Sequence, residues 1–167
     1  MLQYVLVVNP DICNGCRRCE MTCSLKKTGN VISPTKSRIR IIKIETIGVD
    51  TPMVCRHCLD APCKNVCPTH AIFTDSQTGA VLIEENKCIG CRECMLACPF
   101  GAISLDVDRG ALVKCDLCQG DPACVKTCMW GAITYERAGL ADIRKKREAM
   151  ERLQEAVITS SRMLVSS

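Results

Sequence analysis

The stretch Cys88-Ile89-Gly90-Cys91-Arg92-Glu93-Cys94-Met95-Leu96-Ala97-Cys98-Pro99 limits what this chain can fold around more than any other. Its spacing is C-x2-C-x2-C-x3-C-P. A cubane iron–sulfur cluster needs thiolates converging on its corners, and cysteines three residues apart on a tight loop can wrap three of them. Gly90 lets the backbone close without a Cβ clash. The fourth cysteine, Cys98, starts a helical turn, points away from its own loop and is placed to complete a different cluster. A structural zinc site calls instead for two C-x2-C pairs.

The chain has 167 residues and 16 cysteines. Group one (Cys13, Cys16, Cys19, Cys23) repeats the spacing of group three (Cys88, Cys91, Cys94, Cys98). In group two (Cys55, Cys58, Cys63, Cys67) the second gap widens to four residues, and in group four (Cys115, Cys118, Cys124, Cys128) to five. No cysteine is left over, and four per cubane gives four [4Fe–4S] clusters. The bland alternative for so cysteine-rich a chain is a disulfide scaffold. The opening Met1–Pro10 has no basic n-region and no small-residue cleavage site, and no stretch approaches the roughly 20 apolar residues of a membrane span. The expectation is therefore a cytoplasmic chain, in a reducing compartment where thiols stay free for metal. Aromatics are only 3% of the residues, so the clusters are expected to supply the missing core and their loss to unfold the chain.

Short segments repeat around the groups. Val5-Leu6-Val7-Val8 leads into group one as Val81-Leu82-Ile83 leads into group three, and each reads as a strand. Hairpins are expected from Ala71 to Ile83, turning at Asp75–Gly79, and from Ala102 to Val113, turning at Asp108–Gly110. The fold class expected is α+β: two nested ferredoxin-like 2[4Fe–4S] modules of short strands and helices, plus a C-terminal helix. The offset fourth cysteine assigns Cys55, Cys58, Cys63 and Cys98 to one cluster, and Cys88, Cys91, Cys94 and Cys67 to the next. Groups one and four are left to pair across the chain, as Cys13, Cys16, Cys19 and Cys128, then Cys115, Cys118, Cys124 and Cys23. Spacing alone leaves a one-to-two, three-to-four pairing open. On the nested reading, residues 1–23 and 99–138 form an outer module, 24–54 a basic insert, 55–98 an inner module and 139–167 a helical tail.

The insert carries Lys26, Lys27, Lys36, Arg38, Arg40 and Lys43 against Glu45 and Asp50. Arg38–Ile44 reads as a strand, either an edge protected by charge or a docking surface. In the tail, Ile143, Met150, Val157 and Leu164 recur every seven residues with Leu153 beside them, a narrow apolar stripe on a good helix former. That helix either folds back on its own domain or docks on a partner. The formal charge of +4 counts cysteines as neutral; four oxidised clusters bring the holoprotein to about −4. The positive value is thus no argument for nucleic acid, and no aromatic stacking platform supports one. No Gly-rich nucleotide loop is present and no cysteine remains as a nucleophile, so the chain reads as non-catalytic. His57 lies between two ligands, where it either donates a hydrogen bond to sulfur or caps its loop. His70 and Trp130, following fourth cysteines, are expected to pack.

Cys55-Arg-His-Cys58-Leu-Asp-Ala-Pro-Cys63-Lys-Asn-Val-Cys67-Pro68 and Lys114-Cys115-Asp-Leu-Cys118 resemble the four-cluster iron–sulfur subunits of molybdenum and tungsten oxidoreductases, the dimethyl sulfoxide reductase and formate dehydrogenase group. The resemblance covers about residues 3 to 136. It implies pairing of group one with four and two with three. Gly29 to Arg40 is similar to the small members that accompany tungsten aldehyde oxidoreductases and benzoyl-coenzyme A reductases. The implied function is relay of single electrons between a pterin-cofactor catalytic subunit, that of an aldehyde oxidoreductase first, and a flavin/NAD or ferredoxin partner. Further copies of the chain are also admissible partners. The alternatives are a free-standing polyferredoxin, or the same subunit in a benzoyl-coenzyme A reductase, formate dehydrogenase or hydrogenase complex. Ser24 and Met129 depart from the family, standing where proline often follows the fourth cysteine.

Overall fold

The structure is a computed structural model and describes residues 3–165. Up to the last helix its elements are short, because cysteine loops interrupt them: β1 (Tyr4–Val8), α1 (Arg18–Thr28), β2 (Ile39–Ile44), β3 (Val49–Val54), α2 (Pro62–Asn65), β4 (Ile72–Thr74), β5 (Val81–Ile83), α3 (Glu93–Ala97), β6 (Ile103–Asp106), β7 (Ala111–Lys114), α4 (Ala123–Thr127) and β8 (Ile133–Arg137), followed by the long α5 (Ala138–Val165). The strands pair as four antiparallel two-stranded ribbons, β1 with β8, β2 with β3, β4 with β5 and β6 with β7.

Two of the ribbons are the expected hairpins. The first turns where Asp75 accepts from the Thr78 and Gly79 backbone N–H groups, at 2.9 and 3.0 Å. The β1–β8 ribbon is a long-range closure, running from Tyr4 opposite Arg137 to Val8 opposite Ile133. It brings the chain's first strand against its last, with the Tyr4 and Tyr135 rings 5.1 Å apart. The partner of β2 was not foreseen. β3 contains Pro52, opposite Ile41, and a two-stranded ribbon tolerates proline because both of its strands are edges.

Two clusters of buried side chains result. The first joins Leu6, Val8 and Ile133 to Ile39, Ile41 and Val54 of the β2–β3 ribbon, with Cys19, Cys23, Cys55, Cys115 and Cys124 among them. The second joins Ile72, Val81, Ile103 and Leu112 to Cys63 and Cys94. β5 lies at the seam, since Ala80 belongs to the first cluster and Val81 to the second. Residues of the basic segment thus present one face to the core. Two of its lysines also form ion pairs with the later chain, Lys27 with Asp116 at 2.6 Å and Lys36 with Asp106 at 2.5 Å.

The absent prolines have a local explanation at one of the two positions. Pro68 and Pro99 follow fourth cysteines, and α2 and α3 end before them. At the equivalent place α1 runs on to Thr28 and stops at Gly29, which is left-handed and donates its N–H to Leu25 O at 2.7 Å. Ser24 is fully buried; its hydroxyl donates to Val31 O at 2.7 Å and accepts from Ser33 N at 2.9 Å. The serine therefore clamps the chain that leaves α1. Met129 is 71% exposed, beside Arg18.

α5 continues directly from β8. It meets β1 and β8 through Ala141, which is buried, and through a polar face: Ala138 N donates to Gln3 O, Lys145 to Val8 O, and Arg144 pairs with Glu136 at 2.9 Å. Ile143, Met150 and Leu153 of the anticipated stripe are exposed. Val157 and Leu164, also on that stripe, lie outside the described side chains. Among the described residues no helix is long and apolar enough to cross a membrane.

Candidate iron–sulfur cluster sites

All sixteen cysteines are free thiols, and they line four cavities. Cys13, Cys16, Cys19 and Cys128 surround the first, and Cys23, Cys115, Cys118 and Cys124 the second. Cys55, Cys58, Cys63 and Cys98 surround the third, and Cys67, Cys88, Cys91 and Cys94 the fourth. The structure thus brings three cysteines of one group together with the fourth of another in every case. The local cause is helical. Cys19 and Cys23 sit one turn apart on α1, so their thiols reach different cavities; in the other groups the third cysteine is on α2, α3 or α4 and the fourth lies at or just past the helix end, so that Cys98 closes α3 in extended backbone rather than starting a helical turn.

The cavities hold ≈ 320, 320, 350 and 320 Å³ of non-protein space, in that order and partly open to solvent. Among the described residues, no three of His, Cys, Asp and Glu converge closely enough for a single metal ion. Backbone N–H groups approach the thiols at hydrogen-bonding range for sulfur: Arg38 to Cys23 at 3.3 Å, His57 to Cys55 at 3.4 Å, Ala102 to Cys98 and Leu117 to Cys115 at 3.5 Å. One further polar group calls for a partner. His57 is 1% exposed; its Nδ1 accepts the Val81 N–H at 3.0 Å, and its Nε2 is buried without a partner among the described residues. The four-cysteine sets and the backbone N–H groups directed at their thiols fit [4Fe–4S] clusters.

Electrostatics give the cavities an order. Burial pushes the Cys19 thiol up to about 12 and Cys124 to about 12, and neighbouring thiols add to both, Cys128 to the first and Cys19 to the second. Burial also raises Cys115, with Cys55 of the third cavity contributing. Cys94 is pushed up to about 11 by burial, with Cys63 contributing. Each cavity therefore adjoins the next in order, first to second, second to third and third to fourth. Thiols so placed lose their protons to a strong Lewis acid, which couples deprotonation to metal binding. Cys67 is the exception: burial opposes ionisation there, but backbone N–H groups of Ile72, Ala71 and Thr69 and the Thr69 hydroxyl hold its pKa below the ordinary value. Cys16 and Cys91, at the two ends of the line, are the exposed thiols.

His70 and Trp130 are both exposed, so neither packs as expected. His70 takes a left-handed turn with its N–H on Cys67 O, and Trp130 lines the first cavity. Burial, and the Lys114 charge beside it, hold His57 down to about 3, so its ring is neutral. Lys114, buried and lining the third cavity, enters the sequence reading only as part of the Lys114–Cys118 motif, with no role of its own. The missed signal was its position immediately before Cys115.

The sequence pattern of the 4Fe-4S dicluster domain family matches residues 48–138. The chain belongs to this family. The dicluster match spans groups two, three and four and leaves group one outside. Over 123 residues the chain is 46% identical to the aliphatic sulfonate oxidoreductase, polyferredoxin-like subunit of Pyrococcus furiosus, covering 74% of this chain and 70% of that one. Over 134 residues it is 41% identical to the putative electron transport protein YsaA of Escherichia coli, covering 74% and 83%. Among solved structures it is similar to the active-site complex BamBC of benzoyl coenzyme A reductase with 1,5-dienoyl-CoA, at 27% identity and a TM-score of 0.50, covering 81% of this chain and 76% of that one. The dicluster chain is a ferredoxin-like electron-transfer protein of the kind found as oxidoreductase subunits, and its cofactors are four [4Fe–4S] clusters.

Proposed function

We propose that this chain is the electron-transfer subunit of an oxidoreductase complex whose catalytic subunit carries a tungsten or molybdenum pterin, an aldehyde oxidoreductase first among them. Its other partner is a flavin subunit that reduces NAD, or a ferredoxin, and its compartment is the cytoplasm. The observation that carries the relay is the line of four cavities, each lined by four cysteines. In this reading the four sets named above are the ligand sets. Two nested modules hold them, the outer closed by the β1–β8 ribbon and the inner built on α2, α3 and the β4–β5 and β6–β7 hairpins.

A bound [4Fe–4S] cluster takes up and releases one electron. The chain's own residues do the rest. Backbone N–H groups hold thiolate charge on Cys23, Cys55, Cys98 and Cys115. Leu117, Ile39 and Val54 keep water from the interior of the line. Cys16 and Cys91 open the two ends to approach. Exposed apolar side chains flank those ends, Met129 and Trp130 at 71% and 56%, Ile89 and Leu96 at 67% and 82%. Such patches favour a subunit with partners over a carrier that diffuses alone. The relatives named as oxidoreductase components, the polyferredoxin-like subunit and BamBC, support the same reading.

The test is native purification from the host under exclusion of oxygen. The expected result is about sixteen iron and sixteen sulfide per chain, with a pterin-containing protein coeluting. Iron for only two clusters would refute the ligand sets. A chain that elutes alone would make it a free polyferredoxin.

A further inference from the structure

The third residue of each leading C-x-x-C loop takes a left-handed backbone, and the four loops fill that position in two ways. At the ends of the line it is glycine, Gly15 with φ 64° and Gly90 with φ 72°. In the two interior loops it is His57 with φ 47° and Leu117 with φ 55°. A left-handed backbone costs a residue with a Cβ about 1–2 kcal/mol, so a bulky side chain is retained there for what it reaches. Both side chains are directed inward, His57 at 1% and Leu117 at 0% exposure.

His57 does not stand alone. Val81 N–H is donated to its Nδ1 at 3.0 Å, and the carbonyl of the same residue accepts from Lys114 Nζ. One residue of β5, at the seam between the two buried clusters, thus fixes both side chains. With Nδ1 an acceptor, the ring proton is on Nε2, and that N–H is the buried donor without a partner. Lys114 is 7% exposed and has no carboxylate within ion-pair distance among the described residues. It lines the cavity of Cys55, Cys58, Cys63 and Cys98 and precedes Cys115 of the next; on its other side it borders a cleft that Glu84, Glu85, Asp116, Arg38 and Arg109 also line, none of the carboxylates reaching it. The adjoining fourth cavity, by contrast, is lined by Thr69, Ala71, Ile72, Ile83, Ile89 and Leu112 beside its cysteines, with no charged side chain.

We propose that His57 and Lys114, clamped on Val81, form an electropositive bridge at the junction of the modules that raises the reduction potential of the site held by Cys55, Cys58, Cys63 and Cys98. A buried ammonium without a carboxylate partner is balanced by the negative charge of a bound cluster, and it favours the more negative, reduced form. His57, whose backbone N–H meets Cys55 Sγ at 3.4 Å, adds its buried Nε2–H dipole in the same direction. Both are positioning residues, and the inference rests on the ligand sets proposed above.

The experiment is an EPR-monitored redox titration of the holoprotein and of Lys114→Met, Lys114→Arg and His57→Leu. Leucine is the residue that the equivalent loop already accepts in this conformation. Each preparation is first assayed for iron, and wild-type protein short of four clusters would indict the proposed function rather than this inference. In Lys114→Met one of the four midpoints should fall by a tenfold change in the one-electron equilibrium or more, about 59 mV. Lys114→Arg should keep that midpoint near wild type, and His57→Leu should lower the same one. Four unchanged midpoints in iron-complete Lys114→Met or His57→Leu would overturn the bridge, as would equal shifts in the Met and Arg variants. Should Lys114→Met fail to load iron, His57→Leu decides alone, with an unchanged midpoint counting against the proposal.

Discussion

Cys67 shows at the scale of one residue how group and site differ. It belongs to group two by sequence, yet its thiol lines the cavity of Cys88, Cys91 and Cys94, because Cys63 sits on α2 while Cys67 lies past the end of that helix. Hydrogen bonds from Thr69, Ala71 and Ile72 favour its thiolate against the burial that opposes it. Cys67→Ala should therefore remove or convert the cluster of Cys88, Cys91 and Cys94 and spare that of Cys55, Cys58 and Cys63. Iron analysis with EPR of the reduced variant reads this, and loss of the signal tied to Cys55 instead would refute the swap. His57 and Leu117 carry the other lesson of this scale. Each occupies a backbone conformation that the end loops give to glycine, and the sequence shows the substitution without showing which way the side chain turns.

Among the elements, α5 is the one whose role the sequence left between two readings. Its contact with the body is polar, through Arg144, Lys145 and Glu136, with Ala141 as the buried apolar residue. Leu140, Ile143, Met150 and Leu153 stay exposed. A helix bound to its own domain by ion pairs, which are each worth about 0–1 kcal/mol at a surface, leaves its apolar stripe for another surface. Truncation after Arg137 should keep the iron content of the full chain, because every cysteine lies upstream, while lowering the mass of the native assembly. An assembly of unchanged mass would assign the helix to its own domain. α1 illustrates the opposite dependence on sequence. Serine in place of proline after Cys23 lets the helix continue, and the Ser24 hydroxyl then holds Val31 and Ser33. The departure was visible in the sequence; its purpose needed the chain that folds back over it.

The whole molecule is built around its thiols. Cys19, Cys23, Cys55, Cys115 and Cys124 sit inside the first buried cluster, and Cys63 and Cys94 inside the second. Two-stranded ribbons are marginal in water without a packed face, and here that face is completed at the cysteine cavities. Removing iron with a chelator under reducing conditions should abolish the cooperative thermal transition and most of the signal of α1 to α4 by circular dichroism. A cooperative melt surviving iron removal would contradict this. The cluster count, the two hairpins and the strands flanking groups one and three were legible in the sequence, because ligand spacing, turn residues and alternation are local properties. The offset of each fourth cysteine is local too, since it comes one helical turn along α1 or at or just past the end of α2, α3 and α4. The closure of β1 on β8, the pairing of β3 with β2 and the line of four cavities were decided by tertiary structure, for they join residues far apart in the chain. The same holds for the bridge on Val81: His57 and Lys114 are 57 positions apart, and they become one feature because β5 passes between the His57 loop and the end of β7, which no short-range pattern relates.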